Sequence, residues 1–165
     1  NTSLFRVYTN DDLIGVEIAG AFKNVIAIAA GISDGLKLGD NAKASIITRG
    51  LAEMARLGES LGARKSTFAG LSGMGDLIAT CSSNLSRNYQ AGEMLAKGEK
   101  TSNITGNSKN VIEGIATTRS IMNISKFQDV ELPLAKSVFD VLFNGLTPLE
   151  GVKSLMNREQ TSETS

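Results

Sequence analysis

Apolar residues recur every three or four positions along most of this sequence, the spacing that places them on one face of an α-helix. The opening segment, residues 3–11, departs from that spacing, because Phe5, Val7 and Tyr8 form a short run typical of a β-strand. One strand cannot make a sheet. We therefore predict an all-α, multi-helix domain preceded by a strand whose partners belong to another part of a longer protein.

Capping residues and glycines divide the helical part into long helices. The first begins at Asp11 or Asp12 and runs to Ala30, where Gly31 closes it, and the second runs from an Asp40 cap to Gly62. Residues 68–88 are rich in glycine and serine, which predicts loop, short helix, loop. A third predicted helix runs from about Ser86 to Gly98, and a fourth runs from Lys109 to Lys126 with Val111, Ile115 and Met122 inward. A fifth begins at Pro133 and has an apolar face made of Leu134, Val138, Val141 and Leu142. The capping box Thr147–Glu150 opens a sixth.

Charge and cysteine content narrow the classes of partner. Seventeen basic residues balance seventeen acidic ones in 165 residues, so neither a nucleic-acid face nor a polybasic membrane anchor is indicated. No histidine occurs, and the single Cys81 excludes an internal disulfide, so we expect no metal site. The longest wholly apolar or glycine run, residues 25–32, is far below the ~20 residues that span a bilayer. A cytoplasmic, unanchored protein that binds small molecules or protein is expected.

Lys23 lies in an otherwise apolar stretch, residues 15–31, whose only other strongly polar side chains are Glu17 and Asn24. It could be an ordinary lysine at the solvent-exposed edge of an amphipathic helix. So thin a polar face instead favours a mostly buried helix. A buried ammonium must meet an acid or a ligand, or lose its proton, which nominates Lys23 for proton transfer. Its helical neighbours are mostly small and leave room for a ligand or another helix: Ala19, Gly20, Ile26, Ala27 and Ala30.

A second candidate site follows in the glycine-rich region, where Asp76, Thr80, Ser86, Arg87 and Asn88 lie within thirteen residues. Backbone N–H groups at a helix start, a guanidinium and an amide together are able to hold a phosphate. Alternatively, Ser86 only caps the helix and Arg87 is solvated. The glycines of this region are too irregular for a dinucleotide fingerprint, and no G-x-G-x-x-G occurs in the chain.

Longer strings carry a more specific signal: "GAFKNVIAIAAGISDGLKLGDNAKASIITRGLAEMARLG", then "FAGLSGMGDLIATC", "SRN" and "VIEG". In this order and spacing they resemble the C-terminal domain of bacterial NAD(P)-dependent glycerol-3-phosphate dehydrogenases, from about Val7 to Arg158. The resemblance implies a helical substrate domain of the type found at the C-terminus of 6-phosphogluconate dehydrogenase. It also implies reversible reduction of dihydroxyacetone phosphate to sn-glycerol 3-phosphate, for phospholipid synthesis.

The family's motifs imply roles for individual residues. Lys23 would be the proton donor and acceptor of the G-A-x-K-N motif, with Asp76 orienting its ammonium or the substrate hydroxyl. The residues implied in substrate binding are Lys23, Asp76, Thr80, Ser86, Arg87 and Asn88, and those implied in cofactor binding are Arg87, Val111 and Glu113.

The resemblance also implies a division into domains. Residues 1–10 would end an N-terminal Rossmann domain that binds most of the NAD or NADP, residues 11–158 would form the helical substrate domain, and residues 159–165 a disordered tail. The chain alone is then expected to be inactive, and the complete enzyme to be a homodimer.

Two other functions stay open on the sequence. One is a sister dehydrogenase that acts on a carboxylate-bearing hydroxy acid, which the "SRN" and "GMGD" strings disfavour. The other is a helical binding or dimerisation module without catalysis.

Overall fold

The computed structural model of the chain describes residues 1–107 and 111–158. Within these residues the regular structure is entirely helical, which confirms the predicted all-α class. A π-helical turn, Leu71–Gly75, leads directly into α4. In chain order the α-helices are α1 (Leu13–Gly35), α2 (Asp40–Ser60), α3 (Lys65–Phe68), α4 (Asp76–Ser82), α5 (Arg87–Ala96), α6 (Thr101–Asn107), α7 (Glu113–Gln128), α8 (Pro133–Phe143) and α9 (Pro148–Met156).

Helix α1 is the central element of the fold. It packs against α2, α4, α5, α7 and α8, and its residues from Val25 to Ile32 are all buried. By length and composition α1 could cross a membrane, but 50% of its most apolar window is buried inside the protein. Its apolar character therefore fits its position in the core of this helical domain.

Two glycines allow α1 and α5 to touch through their backbones. A Cβ added at Gly31 would lie 2.0 Å from the carbonyl oxygen of Tyr89, and one at Gly92 would lie 2.1 Å from that of Ile28. Neither contact leaves space for a methyl group. The predicted end of α1 at Gly31 is therefore wrong: the helix continues to Gly35, and Gly31 serves close packing within it.

Other helix ends follow the sequence signals closely. Asp12 caps α1, and its Oδ1 accepts a bond from the first-turn backbone over 3.0 Å. Gly39, with φ of 88°, occupies the cap position of α2, so Asp40 is the first helical residue and not the cap itself. Thr147 and Glu150 form the predicted capping box of α9. Helix α8 begins at a proline as predicted and buries its predicted apolar face: Leu134, Val138, Val141 and Leu142.

The predicted opening strand is not formed within the described residues. Residues 1–12 lie outside helices and strands, and Leu4 and Phe5 are 97% and 67% exposed. A strand is held by hydrogen bonds to a neighbouring strand, and the described residues supply none. The predicted partner strands belong to another part of a longer protein, so the described residues do not test this strand, and it stays a prediction.

The fourth predicted helix, Lys109 to Lys126, corresponds to α7. Its first two residues lie outside the described residues. Val111 precedes α7 and is 72% exposed, so the prediction that it faces inward is wrong, whereas Ile115 and Met122 pack against the core. The backbone before Glu113 is extended, which is why Val111 does not share the helical face.

Two further segments differ from the sequence predictions, and a third lies outside the described residues. Helix α6 was missed because its sequence, TSNITGN, has only one large apolar residue and no periodicity. Residues 68–88 contain more helix than predicted, since the π-helical turn adds to the expected short helix, α4. The predicted disordered tail, residues 159–165, lies outside the described residues.

Glu53 joins α2 to α8 through a buried carboxylate. Its Oε1 accepts from the backbone N–H of Leu134 over 2.6 Å, and its Oε2 accepts from that of Ala135 over 3.1 Å. The residue is 4% exposed. Burial raises the pKa of this carboxyl to about 7, against the opposing effect of the two backbone donors.

We predict that Gly92→Ala lowers the free energy of unfolding by about 2 kcal/mol or more, because the methyl group has no space against α1. Gly20→Ala is the matched control, since a Cβ there meets nothing within 4 Å, and its effect should stay within ~1 kcal/mol. Urea unfolding of both variants measures the difference. Equal free energies of unfolding in the two variants would show that α1 and α5 accommodate the methyl group at position 92 without loss of stability.

The Glu53 carboxyl should make the fold more stable as the pH falls from 7 to 4.5. Its folded pKa of about 7 lies above the ordinary 4.5, so the folded state binds the extra proton in this interval. The gain is on the order of 3 kcal/mol. Glu53→Gln should remove this slope, and the exposed Glu59→Gln on the same helix should keep it. Thermal unfolding at pH 7 and at pH 4.5 measures this change in stability for each variant. An unchanged pH dependence in Glu53→Gln would show that the Glu53 carboxyl is not its source.

Candidate active site

Lys23 lies midway along α1, where the helix borders an open cleft. Its Nζ donates to Asp76 Oδ2 over 2.5 Å, and the two side chains are 23% and 40% exposed. Because a partly buried ammonium needs a partner of opposite charge, the Asp76 carboxylate stabilises Lys23 at this position on an apolar helix. An ammonium group has three donors, so this ion pair leaves others for a ligand in the cleft.

Local backbone structure fixes the position of Asp76. The π-helical turn before it packs tightly on α3, since a Cβ at Gly73 would lie 2.2 Å from the carbonyl oxygen of Phe68. One turn after Asp76, the hydroxyl of Thr80 donates to its carbonyl oxygen over 2.7 Å and lies 3.5 Å from its Oδ1. The carboxylate is therefore held by Lys23, while Thr80 bonds to the backbone of the same residue.

Asn88 connects three helices beneath the cleft. Its Nδ2 donates to Asn24 Oδ1 over 3.0 Å, and its Oδ1 accepts from the backbone N–H of Gly114 over 2.8 Å. Asn88 is 5% exposed, and a Cβ at Gly114 would lie 2.7 Å from its Oδ1. The amide thus ties α1, α5 and the start of α7 together, which leaves one of its two N–H groups for a ligand.

Arg87 and Glu113 form an ion pair at the edge of the cleft. Nη2 of Arg87 donates to Oε1 of Glu113 over 2.7 Å, with the side chains 43% and 47% exposed. Each is the first residue of its helix, α5 or α7. Ser86 caps α5 by accepting from the backbone N–H of Tyr89 over 3.3 Å. Ser86 therefore caps the helix, as one interpretation of the sequence predicted. Arg87 is partly exposed and lines the cleft, so it is also accessible to an anion, as the other interpretation requires.

The cleft brings together most of the residues that the sequence nominated. It has a volume of about 590 Å³, and Asp76 adjoins it through Lys23. Val111 is not among the residues that line it. Sequence reasoning missed several lining residues, among them Asn24 and Ser83. The available signal for Asn24 was its place directly after Lys23. The lining residues are Gly20, Lys23, Asn24, Ala79, Thr80, Ser83, Leu85, Ser86, Arg87, Asn88 and Glu113.

Other reactive groups lie away from the cleft. Cys81 is buried, and this burial raises the pKa of its thiol to about 12, so it is a poor nucleophile. Within residues 1–107 and 111–158, no three His, Cys, Asp or Glu side chains are grouped to hold a metal ion. The chemistry available at the cleft is therefore an ammonium paired with a carboxylate, together with polar groups able to bind an anion.

Comparison with known proteins places this chain in a family. The sequence model described as the C-terminus of NAD-dependent glycerol-3-phosphate dehydrogenase matches residues 12–153. The chain belongs to this family. It is 55% identical over 161 residues to the glycerol-3-phosphate dehydrogenase (NAD(P)+) of Macrococcus caseolyticus, covering 98% of this chain and 48% of that protein. It is also 55% identical to that of Geobacillus kaustophilus, over 99% of this chain and 47% of the relative.

Solved glycerol-3-phosphate dehydrogenases share the fold. The crystal structure of the Coxiella burnetii enzyme aligns with a TM-score of 0.91 at 44% identity, over 96% of this chain and 49% of that one. The Saccharomyces cerevisiae enzyme aligns with a TM-score of 0.84 at 26% identity, over 94% and 46%. The predicted resemblance is thus confirmed, and the chain spans about half the length of the glycerol-3-phosphate dehydrogenases it matches.

We predict that Asn88→Ala lowers the free energy of unfolding by about 1–3 kcal/mol, because the buried N–H of Gly114 and the amide of Asn24 lose their partner. Arg87→Ala, one residue away on the exposed side, should cost less than ~1 kcal/mol. Chemical denaturation of both variants tests this contrast. A larger loss in Arg87→Ala would mean that the exposed ion pair, and not the buried amide, holds the helices together.

Proposed function

We propose that the enzyme to which this chain belongs reversibly reduces dihydroxyacetone phosphate to sn-glycerol 3-phosphate with NADH or NADPH. The single observation that carries the proposal is the Lys23–Asp76 ion pair on the wall of an open cleft that also presents Arg87. An ammonium supplies a proton, and a guanidinium binds phosphate. The names of the relatives, glycerol-3-phosphate dehydrogenase (NAD(P)+), support the same reaction.

Lys23 acts as the general acid in this proposal. Reduction of a ketone adds a hydride to carbon and leaves negative charge on oxygen, which an ammonium donor neutralises by giving its proton. In the reverse direction, the neutral amine accepts the proton of the hydroxyl. The bond from Nζ to Asp76 Oδ2 keeps the head group of Lys23 at the cleft wall, so Asp76 orients it.

The phosphate of the substrate binds at the other side of the cleft. Arg87 offers a planar fork of donors that matches two phosphate oxygens, and the hydroxyl of Ser86 and the spare N–H of Asn88 are further donors. Phosphate takes no part in the chemical step. Its binding energy instead holds the carbonyl near Lys23, which raises the rate through positioning.

The nicotinamide cofactor would contact only the edge of this chain. Its dihydronicotinamide supplies the hydride when it is bound. Arg87 and Glu113 are partly exposed at the cleft, and Val111 is 72% exposed nearby in sequence, so these side chains are accessible to a bound nucleotide. Because the described residues contain no sheet, we assign the main NAD or NADP site to a preceding Rossmann domain, with residues 1–10 at its end.

Exposed apolar residues support further packing partners. Leu4, Phe5, Val7 and Tyr8 are between 52% and 97% exposed, as expected of a segment that is covered by another domain. The complete protein is proposed to be a cytoplasmic homodimer. The chain by itself lacks the hydride donor's site, so it should not turn over substrate.

We predict that Lys23→Met in the full-length protein lowers turnover of dihydroxyacetone phosphate on the order of a thousandfold, with its KM largely unchanged, because the proton donor is lost. Lys43→Met is the matched control, since Lys43 pairs with Asp34 at 2.7 Å with similar burial but lies outside the cleft. That variant should lose stability and keep turnover. Oxidation of NADH and NADPH, followed by absorbance, gives both parameters.

Other outcomes of this assay would point elsewhere. Equal turnover in wild type and Lys23→Met would make the lysine structural and remove the proposed mechanism. Turnover of 3-hydroxy acids but not of dihydroxyacetone phosphate would identify a sister dehydrogenase. A full-length protein without any dehydrogenase activity would favour a non-catalytic binding module, and activity of residues 1–165 alone would contradict the assigned cofactor site.

A further inference from the structure

Glu113 is held differently from the other carboxylate of the cleft. Asp76 accepts a bond from Lys23, which is less exposed than Arg87, at 23% against 43%. Glu113 makes its side-chain hydrogen bond to Arg87, and within residues 1–107 and 111–158 neither of these two side chains has another hydrogen-bond partner. Arg87 is the residue that a phosphate in the cleft would need. A carboxylate of the protein therefore occupies one of the five N–H donors that a phosphate at Arg87 could use.

The backbone around Glu113 is fixed, but its side chain has room to move. The next residue, Gly114, donates its N–H to the buried Asn88 and is packed so closely that a Cβ would lie 2.8 Å from the carbonyl oxygen of Asn24. The Glu113 side chain, in contrast, is 47% exposed. Rotation about its side-chain bonds can thus release Arg87 without moving α7.

The charges at the cleft explain why Glu113 would leave Arg87 when an anion binds. Among the described residues, Lys23 and Arg87 are the cations that line the cleft, and Asp76 and Glu113 neutralise them. A phosphate dianion that approaches Arg87 repels the Glu113 carboxylate and competes for the same N–H groups. Glu113 takes one N–H of Arg87 Nη2, so a phosphate cannot use the donor fork that contains this N–H while Glu113 stays bonded to it. Binding of an anion in that fork and departure of Glu113 are therefore coupled.

We propose that Glu113 is an internal competitor for phosphate at Arg87, and that it limits how strongly the cleft favours a phosphorylated substrate over its unphosphorylated form. The identity of that substrate rests on the proposed function, whereas the competition for an inorganic anion does not. Exposed ion pairs are weak, so removal of the competitor should strengthen phosphate binding by about two- to fivefold.

Binding of inorganic phosphate to the 165-residue chain tests the competition directly. The dissociation constant, measured by thermal shift or phosphorus NMR, should fall about two- to fivefold in Glu113→Gln. Glu17→Gln removes one exposed negative charge of α1 without touching Arg87, and it should leave the constant unchanged. In an Arg87→Ala background, Glu113→Gln should have no effect.

A second variant at the same position keeps the proposal testable if Glu113→Gln does not fold. Glu113→Asp keeps the charge but shortens the side chain, which weakens the contact with Arg87, so phosphate should again bind more tightly. If neither Glu113 variant strengthens phosphate binding, or if Glu17→Gln strengthens it equally, the proposal is wrong. A change confined to the KM for NADH would also overturn it, because Glu113 would then act on the nucleotide alone.

Kinetics of the full-length protein test the consequence for specificity. Glu113→Gln should lower the KM for dihydroxyacetone phosphate about two- to fivefold more than it lowers the KM for dihydroxyacetone, which has no phosphate. An equal gain for both substrates would contradict the proposed role in specificity. If the wild type turns over neither substrate, the proposed function fails, while the phosphate titration of the chain still decides the role of Glu113.

Discussion

The backbone contact between α1 and α5 is the constraint on which the site depends. Gly31 and Gly92 let the two helices approach until each carbonyl oxygen lies where a methyl group would be. Lys23 and Asn24 stand on one of these helices, and Arg87 and Asn88 stand on the other. The glycine contact therefore sets the separation between the proposed proton donor and the proposed anion-binding side chains, although neither glycine lines the cleft.

Much of this arrangement was predictable because it depends on local signals. The helix period, the capping box at Thr147 and the proline at the start of α8 all act within one or two turns of chain. Lys23 could be nominated for the same reason, since its apolar neighbours in sequence are also its neighbours on the helix. The strings that resemble the family then joined it to Asp76 and Arg87, which lie more than fifty residues away.

The features that sequence reasoning missed depend on contacts between distant segments. From the sequence alone, Gly31 indicates the end of a helix; the structure shows that its lack of a side chain instead makes room for the carbonyl oxygen of Tyr89. Asn24 looked like an ordinary polar residue, because its partner Asn88 is 64 positions away. Val111 fitted a helical period that the extended backbone before Glu113 interrupts. Such contacts leave no local pattern, so a single sequence cannot reveal them.

The pairing of charges in the cleft has a consequence for the rate at which substrate arrives. Long-range attraction requires a surplus of one charge, and here Lys23 and Arg87, the described cations that line the cleft, each have a carboxylate beside them in a chain of zero net charge. The described residues thus create little field beyond the Debye length of ~10 Å to draw an anion from solution. Encounter then depends on diffusion and on collisions at the cleft itself, so the association rate of the proposed phosphorylated substrate should respond only weakly to ionic strength.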